Sequence, residues 1–382
     1  MIGHKRIPSR EGGVEIVVEE LATRMVGLGH SVTCYNRGGH NVAGSEYDTS
    51  VTNDYKGVKV KKVWTIDKKG LAAVTASISA SVCAAFGKYD VVHYHAEGPC
   101  IGCFIPKLFG KRVVATIHGL DHKRAKWGKI AGFVIMKGEK NAVKYADEII
   151  VLSQGVQQYF MDTYGRETVF LPNGVCRPDR EEADIITKRW ELNKNDYILY
   201  LGRLVPEKGA HYLIDAYKAA NIDKKLVIAG GISDSSEYLN RLLDMVGYVK
   251  DKDDKGVIKS PDGRIILTGF VQGNTLAELY SNAYLYVLPS DLEGMPLSLM
   301  EAMSYGNCCV TSDIEECIAV TDGHGYAFKA GDDKELGELL LSLCDDSDGV
   351  EAVKNTSADY ICDKYNWDNI TKDTLDLYTK KA

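Results

Sequence analysis

The sequence lacks any uninterrupted apolar run of the roughly 18 residues that a membrane-spanning helix requires. Its opening segment, MIGHKRIPSREGG, has no apolar core of signal-peptide length, so we expect no secretory leader. No G-x-G-x-x-G follows a predicted strand, which argues against a dinucleotide-dependent dehydrogenase. These absences favour a cytoplasmic globular protein.

Cysteine is present without the pattern of a disulfide framework. The ten cysteines are scattered along the chain, several of them inside apolar runs such as GNCCVTSD, which is typical of reduced thiols. One C-x-x-C, formed by Cys100 and Cys103, has no second pair and no histidine at zinc-ligand spacing. We therefore expect no metal site.

Acidic residues are scarce only in the first half of the chain. Residues 1–178 carry 24 Lys and Arg against 16 Asp and Glu, and the remainder carries 22 against 37, so the net charge of −7 conceals two opposite halves. This asymmetry indicates different partners for the two halves. Chance clustering of surface charge is the alternative, and we expect no nucleic-acid partner.

Short apolar strands alternate with amphipathic helical segments along the whole chain. The predicted strands are HSVTCYNR, VKVKKVW, DVVHYHA, RVVATIHG and EIIVLS in the first half, and YILYLGRL, KLVIAGG, RIILTGFV, LYVLPS and CCVTSD in the second. Continuous apolar strands separated by helices predict parallel sheets covered on both faces. Because 382 residues exceed the size of one core, we predict an α/β protein with two doubly wound, Rossmann-like domains.

The boundary between these domains is expected in LPNGVCRPDREEAD, where Pro172, Gly174 and Pro178 interrupt the chain. We assign residues 1–177 to the first domain and residues 178–363 to the second. Only MIGH precedes the first loop, so the opening strand is expected to be short. In open parallel sheets, ligands bind beyond the carboxyl ends of the strands, and functional residues are expected in the loops there.

Two glycines, Gly12 and Gly13, open the first long helix directly after the first strand. Glycine lets a ligand approach the backbone closely, and a helix amino terminus offers N–H groups with a partial positive charge. An anion, or a sugar beside it, is the candidate ligand. A plain strand-to-helix turn is the alternative.

The segment LGRLVPEKG places two cations after a predicted strand. Arg203 follows the strand, and Lys208 precedes a helix predicted to begin near Gly209. A planar guanidinium fork and an ammonium point charge together suit a diphosphate. Two solvated surface cations are the alternative, although their place at a strand's carboxyl end favours a site.

The segment SDLEGMPLSLMEAMSYG carries two carboxylates eight residues apart, Glu293 and Glu301. Pro296 suits the first position of a helix, whose unbonded N–H groups would face the preceding loop. Glu301 shares a helical face with Leu297 and so faces the same loop. A buried carboxylate needs donors, and a vicinal diol supplies two, so we predict that Glu301 binds ribose and that Glu293 contacts a sugar hydroxyl. Pairing of Glu301 with an arginine or a backbone donor is the alternative.

His118 ends an apolar strand in ATIHGLDH and is predicted to donate to a sugar hydroxyl or to developing charge. His118 and His122 have the spacing of a helical metal pair, but Gly119 and the strand end argue against a helix there. His93 and His95 alternate in VVHYHAEG; we expect core or edge positions for them, with a site role as the second choice.

Taken together, these segments resemble glycosyltransferase family four, which has the two-Rossmann-domain GT-B fold. The resemblance covers roughly residues 3–370, and its most specific part is the E-x7-E spacing with G-R and E-K-G upstream. It implies two domains facing a cleft, with YNWDNITKDTLDLY, within residues 364–382, forming a helix that crosses back to the first domain. It also implies a retaining, metal-independent enzyme that moves a hexose from a nucleotide sugar, commonly UDP-linked, to a glycan or lipid-linked acceptor in cell-surface polysaccharide synthesis.

The resemblance implies a role for each site residue. Arg203 and Lys208 would bind the donor diphosphate, and Glu301 would bind the ribose. Gly13 would let the first domain approach the diphosphate, and His118 would touch the transferred sugar. The remaining contacts to base, sugar and phosphate would come from Gly269, Val271, Glu293, Met295, Pro296 and Leu297.

A basic stripe is predicted on the helical segment KRAKWGKIAGFVIMKGEKNAVKY. Its lysines fall on one side of the helix, with Phe133 beside them. Such a face suits anionic lipid at the inner membrane surface, or an anionic acceptor; a solvated basic face is the alternative. The stripe consists of Lys126, Lys129, Lys137, Lys140 and Lys144.

Three other functions fit parts of the pattern. A non-hydrolysing nucleotide-sugar 2-epimerase also uses paired Rossmann domains, but would need no acceptor. A metal-dependent transferase would need an Asp-x-Asp at a strand end, and Asp251 with Asp253 lies instead in a lysine-rich run. A binding-only relative would bind the nucleotide without turnover.

Overall fold

The computed structural model describes residues 1–10, 12–39, 53–66, 68, 71–120, 122, 129–231, 236–248 and 258–380. The chain forms two compact units. The first unit comprises Met1–Gly174 and Tyr365–Ala382, and the second comprises Val175–Lys364.

Strands and helices alternate along the chain, as the sequence pattern predicts. The strands are β1 (Thr33–Asn36), β2 (Asp54–Tyr55), β3 (Val58–Lys62), β4 (Val91–His95), β5 (Arg112–Ile117), β6 (Glu148–Val151), β7 (Val169–Phe170), β8 (Tyr197–Leu201), β9 (Lys225–Ala229), β10 (Ile258–Lys259), β11 (Ile265–Gly269), β12 (Leu285–Leu288), β13 (Cys308–Ser312) and β14 (Tyr326–Phe328). The helices are α1 (Gly13–Gly27), α2 (Ala72–Phe86), α3 (Phe104–Leu108), α4 (Lys129–Tyr145), α5 (Gln154–Tyr164), α6 (Ile185–Trp190), α7 (Ala210–Ala220), α8 (Ser236–Val246), α9 (Asn274–Asn282), α10 (Leu297–Ser304), α11 (Glu315–Thr321), α12 (Asp333–Asp345), α13 (Ser347–Lys364) and α14 (Trp367–Thr379). Among the described residues, no helix combines the length and the apolar content that crossing a membrane would require.

The first unit contains two sheets joined by the start of the chain. One sheet has the order β4-β5-β6-β7 and is parallel, and the other has the order β1-β3-β2. Ile2 forms a parallel bridge with Tyr94 of β4, and the Tyr35 N–H of β1 donates to the Met1 carbonyl at 3.1 Å. The short opening strand predicted from MIGH is therefore reduced to a bridge between the two sheets.

The second unit is built on one seven-stranded sheet with the order β10-β11-β9-β8-β12-β13-β14. All neighbours are parallel except β10 and β11. Ile198, Val227 and Leu285 of the inner strands are fully buried. Because helices cover both faces of such a sheet, its strands are continuous apolar runs, which is why the sequence pattern reveals them.

The C-terminal helix packs against the first unit, which confirms the predicted crossing. Arg24 of α1 forms an ion pair with Asp368 of α14 at 2.8 Å. The Arg112 guanidinium donates to a carbonyl in the last turn of α14, and the Tyr378 hydroxyl lies 2.6 Å from Nδ1 of His93. Polar contacts at both ends of α14 thus hold it to this unit.

Several histidines are buried in the first unit rather than exposed at a site. His4, His93 and His95 are at most 2% exposed, which confirms the core positions expected for the latter two. Burial lowers the pKa of His4 to about 3 and holds the pKa values of His93 and His95 well below the usual range. These imidazoles are therefore neutral in the folded protein, and Nε2 of His4 lies 3.0 Å from the Asn36 side-chain oxygen.

We expect the first unit to lose stability as the pH falls from about 6.5 toward 3. The unfolded chain protonates His4 near pH 6.5, about the ordinary value, whereas the folded chain keeps it neutral down to about pH 3. The unfolded state therefore binds more protons in this window, and the free energy of unfolding falls with pH. Urea unfolding between about pH 5 and pH 7 should show a smaller pH slope for His4→Gln than for wild type. His30→Gln, at an exposed position, should keep the wild-type slope; an unchanged slope in His4→Gln would contradict this account.

Candidate active site

The carboxyl edge of the second unit's sheet brings together the loops predicted to carry the site. The strands β11, β9, β8 and β12 are neighbours in that sheet, so the loops that follow them meet at one edge. The Gly202 N–H donates to the Ala229 carbonyl at 3.1 Å, and the Gly230 N–H donates to the Gly269 carbonyl at 2.9 Å. A Cβ on Gly230 would lie only 1.9 Å from the Gly202 carbonyl oxygen. Only glycine at this position therefore lets the backbones of the two loops lie so close together.

Gly209 brings the loop after β8 against the loop after β12. Its φ of 67° is in the left-handed region, and a Cβ there would lie 1.8 Å from the Pro289 carbonyl oxygen. The Asp291 N–H donates to the Glu207 carbonyl at 3.0 Å, which closes the contact between the two loops. Helix α7 then begins at Ala210, next to the predicted start.

Lys208 and Glu293 meet directly as an ion pair. Glu293 is 9% exposed, and its Oε1 also accepts a hydrogen bond from the Ser290 hydroxyl at 2.7 Å. The ammonium and the hydroxyl together compensate the burial of the carboxylate. An ammonium has three N–H donors, so Lys208 retains donors for a ligand.

Arg203 and Glu293 both act electrostatically on the buried hydroxyl of Tyr200. The Tyr200 hydroxyl donates to the Arg203 carbonyl at 3.3 Å. Burial raises the pKa of Tyr200 well above its usual value, with Glu293 acting in the same direction and Arg203 in the opposite one. Both charges therefore lie within electrostatic reach of this ring. Across the described residues, the Arg203 guanidinium has no ion pair or hydrogen bond.

Glu301 is half-buried on α10 and has a partner inside its own unit. The Tyr280 hydroxyl lies 3.4 Å from Oε2 of Glu301 and 3.2 Å from the Ser298 carbonyl oxygen. The Tyr280 ring in turn stacks on Tyr305, with centroids 5.2 Å apart. The role of Glu301 toward ribose stays a prediction.

Helix α10 begins one residue later than predicted. Pro296 has an extended ψ of 92° and is the N-cap, so the first helical residue is Leu297. The Pro296 carbonyl accepts from the N–H groups of Leu299 and Met300, both at 3.1 Å. The first N–H groups of the helix, on Leu297 and the next residue, have no acceptor within the helix and still border the loop that contains Met295.

The predicted base-contacting segment begins at Gly269, the last residue of β11. Gly269 has a φ of 70°, and its carbonyl is occupied by the Gly230 N–H. Val271 is half-buried two residues later. The segment lies at the same sheet edge as Arg203, while its contact with a base stays a prediction.

At the amino terminus of α1, an acid lies where a ligand anion was predicted. Gly12 is extended, with a φ of −169°, so its glycine is not required by a left-handed backbone. Glu15 in the first turn is 5% exposed, its Oε1 accepts from the Lys5 N–H at 2.8 Å, and its Oε2 would lie 2.8 Å from a Cβ on Gly12. A carboxylate beside Gly12 and Gly13 favours a hydroxyl-bearing ligand over an anion at this terminus.

His118 directly follows β5 and is half-buried. Its Nε2 lies 3.2 Å from Nδ1 of the buried His95, whose ring lies 4.2 Å from that of His93. One nitrogen of the His95–His118 contact donates and the other accepts, so His95 sets the orientation of the His118 ring. His122 does not join this group and lies beside Glu97 and Glu139 instead.

Part of the basic stripe lies on described residues. Lys137, Lys140 and Lys144 are exposed along α4, and Phe133 is 71% exposed on the same side. Lys126 lies outside the described residues, as do the side chain of Lys129 and the Asp251–Asp253 pair.

Sequence reasoning missed the residues that support the charged groups. Tyr200 lies in the predicted strand YILYLGRL, where nothing distinguishes a site tyrosine from a core tyrosine, and Tyr280 lies in α9, a segment for which no site was predicted. The contact of Ser290 with Glu293 could have been predicted from the sequence, because Ser290 stands three residues before Glu293 in the same loop. Serine at that spacing commonly bonds within its own turn.

Substitution of Gly209 by alanine should open the contact that pairs Lys208 with Glu293. The new Cβ would meet a backbone carbonyl and strain the left-handed backbone, so we expect a loss of about 2–4 kcal/mol in the unfolding free energy. Gly263 is the matched control, because its φ is 72° and a Cβ there would meet nothing within 4 Å. Gly263→Ala should cost only about 1 kcal/mol in urea unfolding. Equal losses for the two variants would show that the close approach is unimportant.

Two family models match the chain over consecutive ranges. The model described as Glycosyltransferase Family 4 matches residues 11–176, and the model described as Glycosyl transferases group 1 matches residues 182–360. The two matches follow the division between the first and second units.

Sequence relatives carry glycosyltransferase names. The chain is 25% identical to an uncharacterized glycosyltransferase of Methanocaldococcus jannaschii, with 97% of this chain and 95% of the relative covered. It is 28% identical to the UDP-Gal:alpha-D-GlcNAc-diphosphoundecaprenol alpha-1,3-galactosyltransferase of Escherichia coli, with 68% and 67% covered.

Solved structures share the fold at low sequence identity. The Anabaena HepE structure in complex with UDP-glucose has a TM-score of 0.76 at 16% identity and covers 96% of this chain and 95% of that one. Sucrose-phosphate synthase from Thermosynechococcus elongatus has a TM-score of 0.73 at 19% identity and covers 96% and 93%. With both family models matched in order and with the fold of these enzymes in both of its units, the chain belongs to the group 1, family four glycosyltransferases of the GT-B fold.

Proposed function

We propose that this glycosyltransferase moves a hexose from a UDP-sugar to a glycan or lipid-linked acceptor, with retention of configuration and without a metal ion at the donor diphosphate. The observation that carries the proposal is the pairing of Lys208 with the buried Glu293. Arg203 and Lys208 both lie between β8 and α7, so two cations and the carboxylate of Glu293 belong to loops at the same edge of the sheet.

Cations at this edge suit the chemistry of the leaving group. Breaking the bond between the anomeric carbon and the phosphate oxygen leaves negative charge on the diphosphate. Fixed donors aimed at that charge stabilise the transition state by about 3–4 kcal/mol each. Arg203 and Lys208 would supply this charge, which a divalent ion supplies in other enzymes. That is the basis for expecting no metal at the diphosphate.

Glu293 is better suited to hold a sugar hydroxyl than to attack the anomeric carbon. Its Oε1 is already engaged by the Lys208 ammonium and the Ser290 hydroxyl, and engaged carboxylates are weak nucleophiles. We therefore favour a front-face displacement. In this step the bond from the sugar to the leaving phosphate breaks, the bond from the sugar to the acceptor oxygen forms, and the acceptor proton moves to the leaving phosphate oxygen.

The names of relatives support UDP and a lipid-linked acceptor. HepE was solved with UDP and with UDP-glucose. The Escherichia coli relative uses UDP-Gal and a diphosphoundecaprenol-linked acceptor, and a relative from Campylobacter jejuni acts on a related diphospho-undecaprenol acceptor. A 2-epimerase is the alternative, distinguished by product formation without an acceptor, and a binding-only relative would release no UDP in any assay.

Variants at Glu301 and Lys208 should affect different steps. Glu301→Ala removes the acceptor for the ribose hydroxyls and should weaken UDP binding, measured by calorimetry. Lys208→Ala removes charge from the leaving group and should slow transfer on the order of 10²- to 10³-fold, with a smaller effect on UDP binding. Transfer is measured as UDP released from UDP-glucose or UDP-galactose when undecaprenyl-diphosphate-linked N-acetylglucosamine is added.

Matched controls come from helix α12. Lys334→Ala and Glu338→Ala remove charges whose side chains are 85% and 71% exposed, and both variants should behave as wild type. Added Mg²⁺ or Mn²⁺ should leave the wild-type rate unchanged. Wild-type rates and affinities in both site variants would place the donor site elsewhere.

The acceptor proposal includes peripheral contact with anionic lipid through α4. The exposed Phe133 and the lysines 137, 140 and 144 share one side of this helix, and each cation near an anionic surface contributes about 1 kcal/mol. The protein should sediment with anionic vesicles at low salt. Replacing the three lysines by glutamine should weaken this binding on the order of 100-fold. Equal recovery with neutral and anionic vesicles would reject the contact.

A further inference from the structure

Three side chains of the types that ligate metals meet in the first unit. Nδ1 of His122 lies 3.3 Å from Oε2 of Glu139 and 3.6 Å from Oε1 of Glu97. The three ligand atoms all lie within 4.8 Å of one another. The side chains of Glu97 and Glu139 are fully buried, whereas His122 is 17% exposed.

The fold holds this cluster together through its backbone. Ala96, at the end of β4, has a left-handed φ of 75°, which turns the chain into the 3-10 turn Gly98–Gly102 directly after Glu97. A Cβ on Gly138 of α4 would lie 2.1 Å from the Glu97 carbonyl oxygen. Because α4 packs against the turn through Gly138, the adjacent Glu139 is held beside Glu97.

Hydrogen bonds orient one carboxylate into the cluster. Oε1 of Glu139 accepts from the hydroxyls of Tyr159, at 2.9 Å, and Tyr164. Oε2 is buried, accepts no hydrogen bond from any described residue, and is directed at His122.

The distances fit ligands that share a cation better than groups bonded to each other. Bonds of about 2.1 Å at angles of 90–120° place ligand atoms about 3.0–3.6 Å apart. The His122–Glu139 and His122–Glu97 separations of 3.3 and 3.6 Å are of that size, whereas a direct N–H···O bond is usually about 2.7–3.2 Å.

We propose that Glu97, His122 and Glu139 bind one divalent transition-metal ion, with zinc the expected occupant. One imidazole and two carboxylates suit zinc, and three protein ligands leave a fourth position for water on the exposed side of His122. The charge of the ion balances the two carboxylates. The tyrosines on Glu139 supply the outer hydrogen bonds that orient a metal-bound carboxylate.

The site would tie the segment after His118 to helix α4. His122 lies four residues beyond His118, and Glu139 belongs to α4. The sequence predicts no metal site, because Cys100 and Cys103 have no second pair and the strand end argues against a helix that would join His118 and His122. The ligands come instead from three separate segments. The proposed site is in the first unit, whereas Arg203, Lys208, Glu293 and Glu301 belong to the second.

Zinc titration of the full chain against a chromophoric chelator tests the site. After chelator treatment and dialysis, wild type should bind one equivalent of zinc. His122→Asn and Glu139→Gln should each lower the affinity more than about tenfold. His30→Asn and Glu167→Gln, at exposed positions, should bind as wild type. Cobalt(II) should give visible absorption without a thiolate charge-transfer band, because no cysteine belongs to the site.

The effect of zinc on the Tm tests the proposed site by a second measurement, which does not depend on any single variant. Zinc at about a hundredfold excess over its dissociation constant should raise the Tm of wild type by several degrees and leave that of His122→Asn unchanged. His122 is partly exposed, so this variant tests the site even where Glu139→Gln folds poorly. Absence of stoichiometric binding, or full affinity in His122→Asn, would overturn the proposal. Neither result bears on UDP binding, which the Glu301 and Lys208 variants report.

Discussion

A backbone approach that only glycine permits holds the candidate donor site together. Gly209 lies so close to the Pro289 carbonyl that no side chain fits between them, and its backbone is left-handed. This contact places Lys208 against Glu293, and the buried carboxylate in turn needs that ammonium. The orientation of both charged groups therefore depends on the approach of two loops, each of which follows a parallel strand.

The two units compensate their buried acids in different ways. In the second unit, Glu293 has a lysine and a serine hydroxyl, so its charge is balanced within the protein. In the first unit, Glu97 and Glu139 face each other across one histidine at separations longer than usual hydrogen bonds. The separations in the His122 cluster are of the size found between ligands of one cation, so a cation is proposed there and not beside Glu293.

Much of the fold could be predicted because buried parallel strands are continuous apolar runs. β5 and β8 were located correctly, but β10, with two residues, is too short to produce such a pattern. The pairing of Lys208 with Glu293 could not be predicted, since these residues are 85 positions apart and their contact depends on loop geometry. The cluster around His122 was missed for the same reason, because spacing along one segment says nothing about side chains from other segments.

By itself, the sequence determined the alternation of strands and helices, the family, and the loops in which charged residues stand at strand ends. These features are local, since apolar periodicity and short motifs are properties of neighbouring residues. Only the tertiary structure decided that Lys208 is paired with Glu293, that His95 orients His118, and that Glu139 meets His122 and Glu97. Such contacts join distant segments, and packing of the backbone at a few glycines sets their distances.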